Sequence, residues 1–139
     1  ITSGTVAITY LPEATTAQWR SNTANKLLST DQVWSAMAEV SLTQASSIAV
    51  NFSLGFDFTT TMTGNRALAN PSNAKVGQRG SIRIVQDATG SRTLSYGTSW
   101  EFSNGQAPSL STTANAQDML FYQVISSTRI VASVYRNIY

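Results

Sequence analysis

The stretch Met119-Leu120-Phe121-Tyr122-Gln123-Val124-Ile125-Ser126-Ser127-Thr128-Arg129-Ile130-Val131-Ala132-Ser133-Val134-Tyr135 reads as two strands and the turn between them. Apolar and β-branched residues recur with period two, and Ser126-Ser127-Thr128 supplies the small polar residues of a tight connection. In the hairpin this predicts, Leu120, Tyr122, Val124, Ile130, Ala132 and Val134 share one face. Met119, Phe121, Ile125, Val131 and Tyr135 share the other, so neither face has the polar character of a strand that ends at solvent. A strand apolar on both sides is either central in stacked sheets or buried against another subunit.

Moving back along the chain, Ile48, Val50, Phe52, Leu54, Phe56 and Phe58 are apolar and alternate with small or polar residues. This predicts one half-buried antiparallel strand or a pair of them, with Gly55 as a bend or bulge. Val40 and Leu42 begin the alternation, Gln44 to Ser47 reads as a turn, and Arg66-Ala67-Leu68 is a short strand in the Gly- and Pro-punctuated stretch 64–80. Ser81–Gln86 and Arg92–Tyr96 read as a second hairpin around Asp87-Ala88-Thr89-Gly90-Ser91, with Ile84 opposite Leu94 and Ile82 opposite Tyr96. Trp100-Glu101-Phe102 follows, then a turn at Asn104-Gly105 and a break at Pro108.

The N-terminal stretch has a different period. Thr2–Tyr10 alternates loosely and stops at Leu11-Pro12. From Thr15 to Leu28, Ala17, Trp19, Ala24, Leu27 and Leu28 suggest a short helix or ordered arm capped by Thr15 or Thr16. A brief helical segment from Thr30-Asp31 carries Val33, Trp34 and Met37. The reading is therefore a mainly β chain. Residues 1–38 form an N-terminal arm, partly helical, for attachment or oligomerisation, and residues 39–139 form an antiparallel, jelly-roll-like β-sandwich.

Composition narrows the chemistry. The 139 residues include 42% hydrophobic but only 12% charged side chains, about half the usual charged share. Ser, Thr, Asn and Gly supply the polar surface, which suits short strands and tight turns. A chain of this size buries roughly 70% of its unfolded surface. Its net charge is +2, with the mild basic concentration at Arg66, Lys75, Arg79, Arg83 and Arg92 spread too thinly for a nucleic-acid footprint. No apolar run approaches the length of a membrane helix and nothing reads as a signal peptide. Ile1 stands in place of an initiator Met, the pattern of a processed product or a fragment.

With neither His nor Cys, the chain lacks the commonest acid/base, the commonest zinc ligand, and any thiolate or disulfide chemistry. A Ser-Lys nucleophile would need support that neither Lys26 nor Lys75 carries. The carboxylates are Glu13, Asp31, Glu39, Asp57, Asp87, Glu101 and Asp118. Asp31 and Asp87 sit where caps and turns place Asp, and Glu39 and Asp57 alternate outward from strands. No calcium-loop spacing or phosphate-loop motif is present. The expectation is no enzyme, no catalytic or metal site and no cofactor. Asn51-Phe52-Ser53 matches a glycosylation acceptor inside the best strand, relevant only in a eukaryotic secretory setting. Trp19, Trp34, Tyr96, Trp100 and Phe102 have the chemistry of a sugar-stacking platform. The shared parity of Tyr96, Trp100 and Phe102 favours core instead, leaving Trp19 and Trp34 to anchor the arm or meet a neighbour.

The run Gly64-Asn65-Arg66-Ala67-Leu68-Ala69-Asn70-Pro71, then Lys75-Val76-Gly77-Gln78, Gly80, and Ile82-Arg83-Ile84-Val85-Gln86-Asp87-Ala88-Thr89-Gly90-Ser91-Arg92-Thr93-Leu94, continues through Tyr96-Gly97-Thr98-Ser99-Trp100, Ala107-Pro108, Leu110-Ser111-Thr112, Ala114-Asn115-Ala116, Asp118 and Leu120 to Tyr122. This pattern resembles C-terminal domains of tail-fibre, head-fibre and spike proteins of bacteriophages, often those of alphaproteobacteria. Trp19-Arg20 to Leu54 is similar, more diffusely, to the segment that precedes such domains. The resemblance implies a β-sandwich displayed on the capsid or tail of a virion as a homotrimer, and brings no functional residues with it. The partners expected are further copies of the chain, other virion proteins through the arm, and host surface polysaccharide if the module doubles as an adhesin. Neither nucleic acid nor membrane insertion is expected.

Overall fold

The computed structural model describes residues 12–20 and 29–138, so the readings made on Thr2–Tyr10 and on 21–28 lie outside the described residues. Two short helices come first, α1 (Thr16–Arg20) and α2 (Thr30–Ala36). Thr15 starts α1 through a reciprocal pair of bonds: its hydroxyl accepts the Gln18 N–H at 3.2 Å, and Gln18 Oε1 accepts the Thr15 N–H at 3.0 Å. The Thr16 hydroxyl donates to Gln32 Oε1 at 2.9 Å, tying the two helices together. Trp19 lies on Phe56 with ring centroids 5.3 Å apart, which anchors α1 to the β region.

Nine strands follow: β1 (Val40–Ser41), β2 (Ser47–Ile48), β3 (Asp57–Met62), β4 (Arg66–Leu68), β5 (Arg79–Gln86), β6 (Leu94–Tyr96), β7 (Trp100–Glu101), β8 (Gln117–Ser126) and β9 (Arg129–Tyr135). They make a six-stranded sheet in the order β1-β3-β5-β8-β9-β7 and a three-stranded sheet in the order β2-β4-β6. The chain is mainly β, and its sheets are mixed.

The first six strands alternate between the sheets. β1, β3 and β5 pair parallel in the larger one, and β2, β4 and β6 pair parallel in the smaller. Three successive passes thus stack like turns of a flattened coil. Val40, Phe58 and Ile82 fall in register on one side, and Ile48, Leu68 and Tyr96 on the other. β8 then pairs antiparallel with both β5 and β9, while β7 runs parallel to β9.

This corrects the expectation of antiparallel pairing throughout. Strict alternation reports which face a side chain occupies, not the direction of the neighbouring strand. The 48–58 run is a pair of short strands rather than one. β2 ends at Ile48, the Asn51 side chain accepts the Ser53 N–H at 3.0 Å and so turns the chain, and β3 begins at Asp57. Ile48, Val50, Phe52 and Phe58 are buried, while Leu54 at the turn is half exposed.

The expected hairpin between Ser81–Gln86 and Arg92–Tyr96 does not form. Both edges of β5 are occupied, by β3 and β8, so the 87–91 turn carries the chain across to the other sheet. Side chains hold that crossover. Asp87 Oδ1 accepts the N–H groups of Thr89 and Gly90 at 3.0 and 2.9 Å, and Asp87 Oδ2 pairs with Arg92 Nη2 at 2.8 Å. The buried Gln86 amide takes the place of a strand partner, accepting the Arg92 N–H and donating to the Arg92 carbonyl, both at 2.9 Å. Gly90 has φ +70°, and a Cβ there would lie 2.6 Å from the Thr112 carbonyl oxygen, so the turn requires glycine.

The two sheets share one buried core. Phe52 is its hub: it stacks on Tyr122 at 4.5 Å and 9°, and meets Trp100 edge-on at 6.2 Å. Phe58, Ile82, Leu120 and Ile130 from the larger sheet, and Ile48 from the smaller, are fully buried against it. Each such side chain contributes roughly 1.5–3 kcal/mol relative to exposure.

Candidate functional site

β8 and β9 form the expected final hairpin, with Leu120 opposite Val134, Tyr122 opposite Ala132 and Val124 opposite Ile130. One face of it belongs to the core: Leu120, Tyr122, Val124, Ile130 and Ala132 are all buried. The other face is open. Phe121 is 47% exposed, Ile125 41%, Val131 45% and Tyr135 63%, a concentration of apolar surface that a solvated sheet face does not need. Ile125 is the extra residue at a register shift between Val124 and Ser126. Phe121 and Tyr135 meet edge-on, with centroids 5.6 Å apart.

The C-terminal tail enlarges this patch. Asp118, 2% exposed, accepts the Asn137 N–H on Oδ1 at 2.8 Å and the Ser111 N–H on Oδ2 at 2.6 Å. Ile138 N–H then donates to the Gln117 carbonyl at 2.9 Å. The tail is thereby turned so that Ile138 lines the depression formed with Met119, Phe121 and Tyr135. A buried carboxylate is thus used structurally, its oxygens satisfied by two backbone donors.

The outer face of the larger sheet is divided. Across β3 and β5 it carries Asp57, Thr59, Thr61, Arg79, Ser81 and Arg83, while across β8 and β9 Met119, Phe121, Ile125, Val131 and Tyr135 outweigh Gln123 and Ser133. At the boundary lies a groove of about 510 Å³, with Phe121 and Val131 on one wall and Asp57, Arg79 and Ser81 on the other. Gly80 makes the sheet possible at this end. A Cβ there would stand 1.8 Å from the Phe56 carbonyl oxygen, which accepts the Tyr122 hydroxyl at 2.7 Å and the Ser81 N–H at 3.2 Å. Burial pushes the Tyr122 phenol well above its ordinary value, so it acts as a fixed hydroxyl donor.

Ion pairs frame the face. Arg83 donates to both Glu39 oxygens at 2.9 and 2.6 Å, and Arg129 to both Glu101 oxygens at 2.8 and 3.0 Å. Hydrogen bonds from these arginines hold both glutamates below the ordinary carboxylate range. The carboxylates considered for catalysis are dispersed among such duties. Glu39, Asp87 and Glu101 are paired with arginines, Asp57 accepts the Ser81 N–H and hydroxyl, and Asp118 holds backbone. Among the described residues no three His, Cys, Asp or Glu side chains converge on a common point. No described helix is long and apolar enough to cross a membrane.

Nor do the aromatics form one platform. Trp100 is buried and its indole N–H donates to the Ala69 carbonyl at 2.9 Å. Trp19 is spent on Phe56, and Tyr96 and Phe102 pack edge-on at 4.6 Å, half-buried. Trp34 alone of the three tryptophans stands out from the surface, 77% exposed. Parity identified the apolar half of the outer face from the sequence. That Asp57, Arg79 and Ser81 share a groove with Phe121 and Val131 was not legible, because the three join it only through the β3-β5-β8 pairing. Ile138 escaped notice because the Asp118 anchor is a tertiary contact. Comparison with protein-family models, with curated proteins and with solved structures found no match.

Proposed function

We propose that the chain is a structural module of a bacteriophage virion, displayed on the particle as a fibre, spike or decoration component and assembled as a homotrimer. The observation that carries this reading is the uncovered apolar face of β8 and β9. The inner face of the hairpin already meets the core of its own chain, while Phe121, Ile125, Val131 and Tyr135 are left uncovered by the described residues. Further copies of the chain supply a matching apolar surface and satisfy the hydrophobic demand in one step.

Supporting the scaffold role, Arg83 with Glu39 and Arg129 with Glu101 are engaged with one another in two bidentate pairs at the borders of the face. The virion setting rests on the resemblance of Gly64–Tyr122 to phage fibre domains, and we read the two sheets as the layers of a sandwich of that kind. The segment 1–38 then serves as the arm that joins the module to other virion proteins. Sedimentation equilibrium of the full chain tests the assembly: the expected mass is three times 14.9 kDa. A single-chain mass at every concentration would overturn it.

A second reading, a host-glycan adhesin, is favoured by one place. A groove of about 460 Å³ brings the Tyr96–Phe102 pair beside Thr98 and Glu101, an aromatic and polar combination suited to a sugar ring. Purified protein should then compete with phage adsorption, and Phe102→Ala should weaken that competition. An absence of competition at saturating protein removes this reading and leaves the scaffold role intact.

A further inference from the structure

The surface carries a projecting side chain and a groove that none of the described residues of the same copy fills. Trp34 projects from α2 with 77% of its surface exposed. Trp19 and Trp100 each pack against another ring, whereas Trp34 does so with none among the described residues. Asp31, also exposed, stands three residues earlier and therefore on the same side of α2. The groove is the one between Phe121 and Val131 and the ends of β3 and β5. It exists because Ser81 and Ser133, the cross-strand neighbours of Phe121, are too small to fill the space on either side of the ring. Arg79 is exposed at its rim, and among the described residues no carboxylate lies within ion-pair distance of it. Asp57, in the same groove, turns Oδ1 to the Ser81 N–H and hydroxyl at 3.0 and 2.6 Å.

We propose that Trp34 of one copy seats in this groove on the next copy, its indole against Phe121 and Val131, with Asp31 beside Arg79. The inference deepens the self-assembly reading and rests on it. Three observations support a second copy as the occupant.

The first is size. The groove is an open depression of about 510 Å³, so a flat indole can lie along its floor without displacing any side chain, and a tryptophan side chain covers roughly 150–250 Å² when buried. The second is charge: an acidic side chain accompanies the projecting tryptophan, and Arg79, without a carboxylate partner among the described residues, stands at the rim, so the same approach that buries the ring joins opposite charges. The third is area. From the fractional exposures, the apolar patch of the hairpin and Ile138 offers about 450 Å², taking roughly 200 Å² for a whole aromatic side chain and somewhat less for an aliphatic one. A standard interface uses about 800 Å² per partner, somewhat more than half of it apolar. The patch therefore supplies the apolar share of one such interface.

Because the projection and the groove are different surfaces of one copy, the contact is head-to-tail. Each copy gives one tryptophan and receives one, and such a contact closes into a ring when the rotation per copy divides a full turn. In a closed ring of three copies every groove would be filled.

The test uses the full chain and reads association by sedimentation equilibrium across a wide concentration range, with circular dichroism confirming that each variant is folded. Trp34→Ala should weaken association about thirtyfold or more, as expected for a tryptophan at the centre of a contact. Asp31→Arg and Arg79→Asp should each weaken it about tenfold, and the double variant D31R/R79D should recover most of the loss. If wild type assembles and these single variants assemble equally well, or the double variant is no better than the singles, the seat is wrong while self-assembly stands. If wild type is monomeric throughout, both fall.

Discussion

Leu120 and Phe121 are adjacent on β8 and point to opposite faces of the same sheet, which makes them a matched test of the face assignment. Leu120 is 0% exposed, and its replacement by Ala leaves a cavity between the sheets. Such a change costs about 2–5 kcal/mol, and complete burial places it near 3 or above. Phe121 is 47% exposed, so Phe121→Ala forfeits only about half of a buried side chain's transfer energy together with the edge contact to Tyr135. That amounts to about 2 kcal/mol in an isolated chain. For a domain of this size each kcal/mol moves the melting temperature by about 4 °C, so the two variants should differ by about 4 °C or more. Measured by thermal unfolding at dilute protein, Leu120→Ala should melt below Phe121→Ala. At high protein concentration the gap should narrow, because only Phe121→Ala also removes stabilisation supplied by neighbouring copies. Equal losses at dilute protein, or a larger loss at Phe121, would show that the register is shifted by one residue and refute the reasoning.

Further outcomes follow from other contacts. Gly80→Ala places a Cβ against the Phe56 carbonyl and the Tyr122 hydroxyl, and should cost about 2–3 kcal/mol in urea titration. Tyr96→Phe removes a buried hydroxyl that has no hydrogen-bond partner among the described residues. Its unfolding free energy should be unchanged or up to about 1 kcal/mol higher, whereas a clear loss would reveal a partner for that group. Glu39, Asp87 and Glu101 are held by arginines below their ordinary values of 4.5, 3.8 and 4.5. A carboxylate with a depressed folded value adds stability that is complete above its unfolded value and is lost as pH falls through the folded one. With no His in the chain, melting temperature should be nearly flat from about pH 5.5 to 7.5 and should fall below about pH 4.5. A midpoint of loss near neutrality would contradict this.

The sequence made the faces of strands legible and left their partners hidden. Alternation alone separated Leu120, Tyr122 and Val124 from Phe121 and Ile125, and short loop length made β8 and β9 neighbours. The same alternation in β5 and β6 suggested a hairpin, because a five-residue turn serves a hairpin and a crossover equally well. What distinguishes them is tertiary: the Ser91 N–H bonded to the Thr112 carbonyl at 2.7 Å, and the fit of Gly90 against the 112–114 backbone. The parallel stacking of Val40, Phe58 and Ile82 was hidden for a related reason, since these residues are separated by whole passes of the coil. The apolar half of the candidate face was visible in parity. Its polar rim at Asp57 and Arg79 needed the β3-β5-β8 order, which no local pattern encodes. Trp19 and Trp34, outside the alternating region, read alike as anchoring the arm or meeting a neighbour; the structure separates them, with Trp19 packed on Phe56 and Trp34 exposed.

The central claim, a structural component displayed on a virion, is tested most directly by immunogold electron microscopy. Phage particles would be purified from the source that encodes the chain and labelled with antibody raised against it. The account predicts gold on the surface of intact heads or tails at regular positions. Unlabelled particles, with the chain recovered only from the soluble fraction of the lysate, would contradict it.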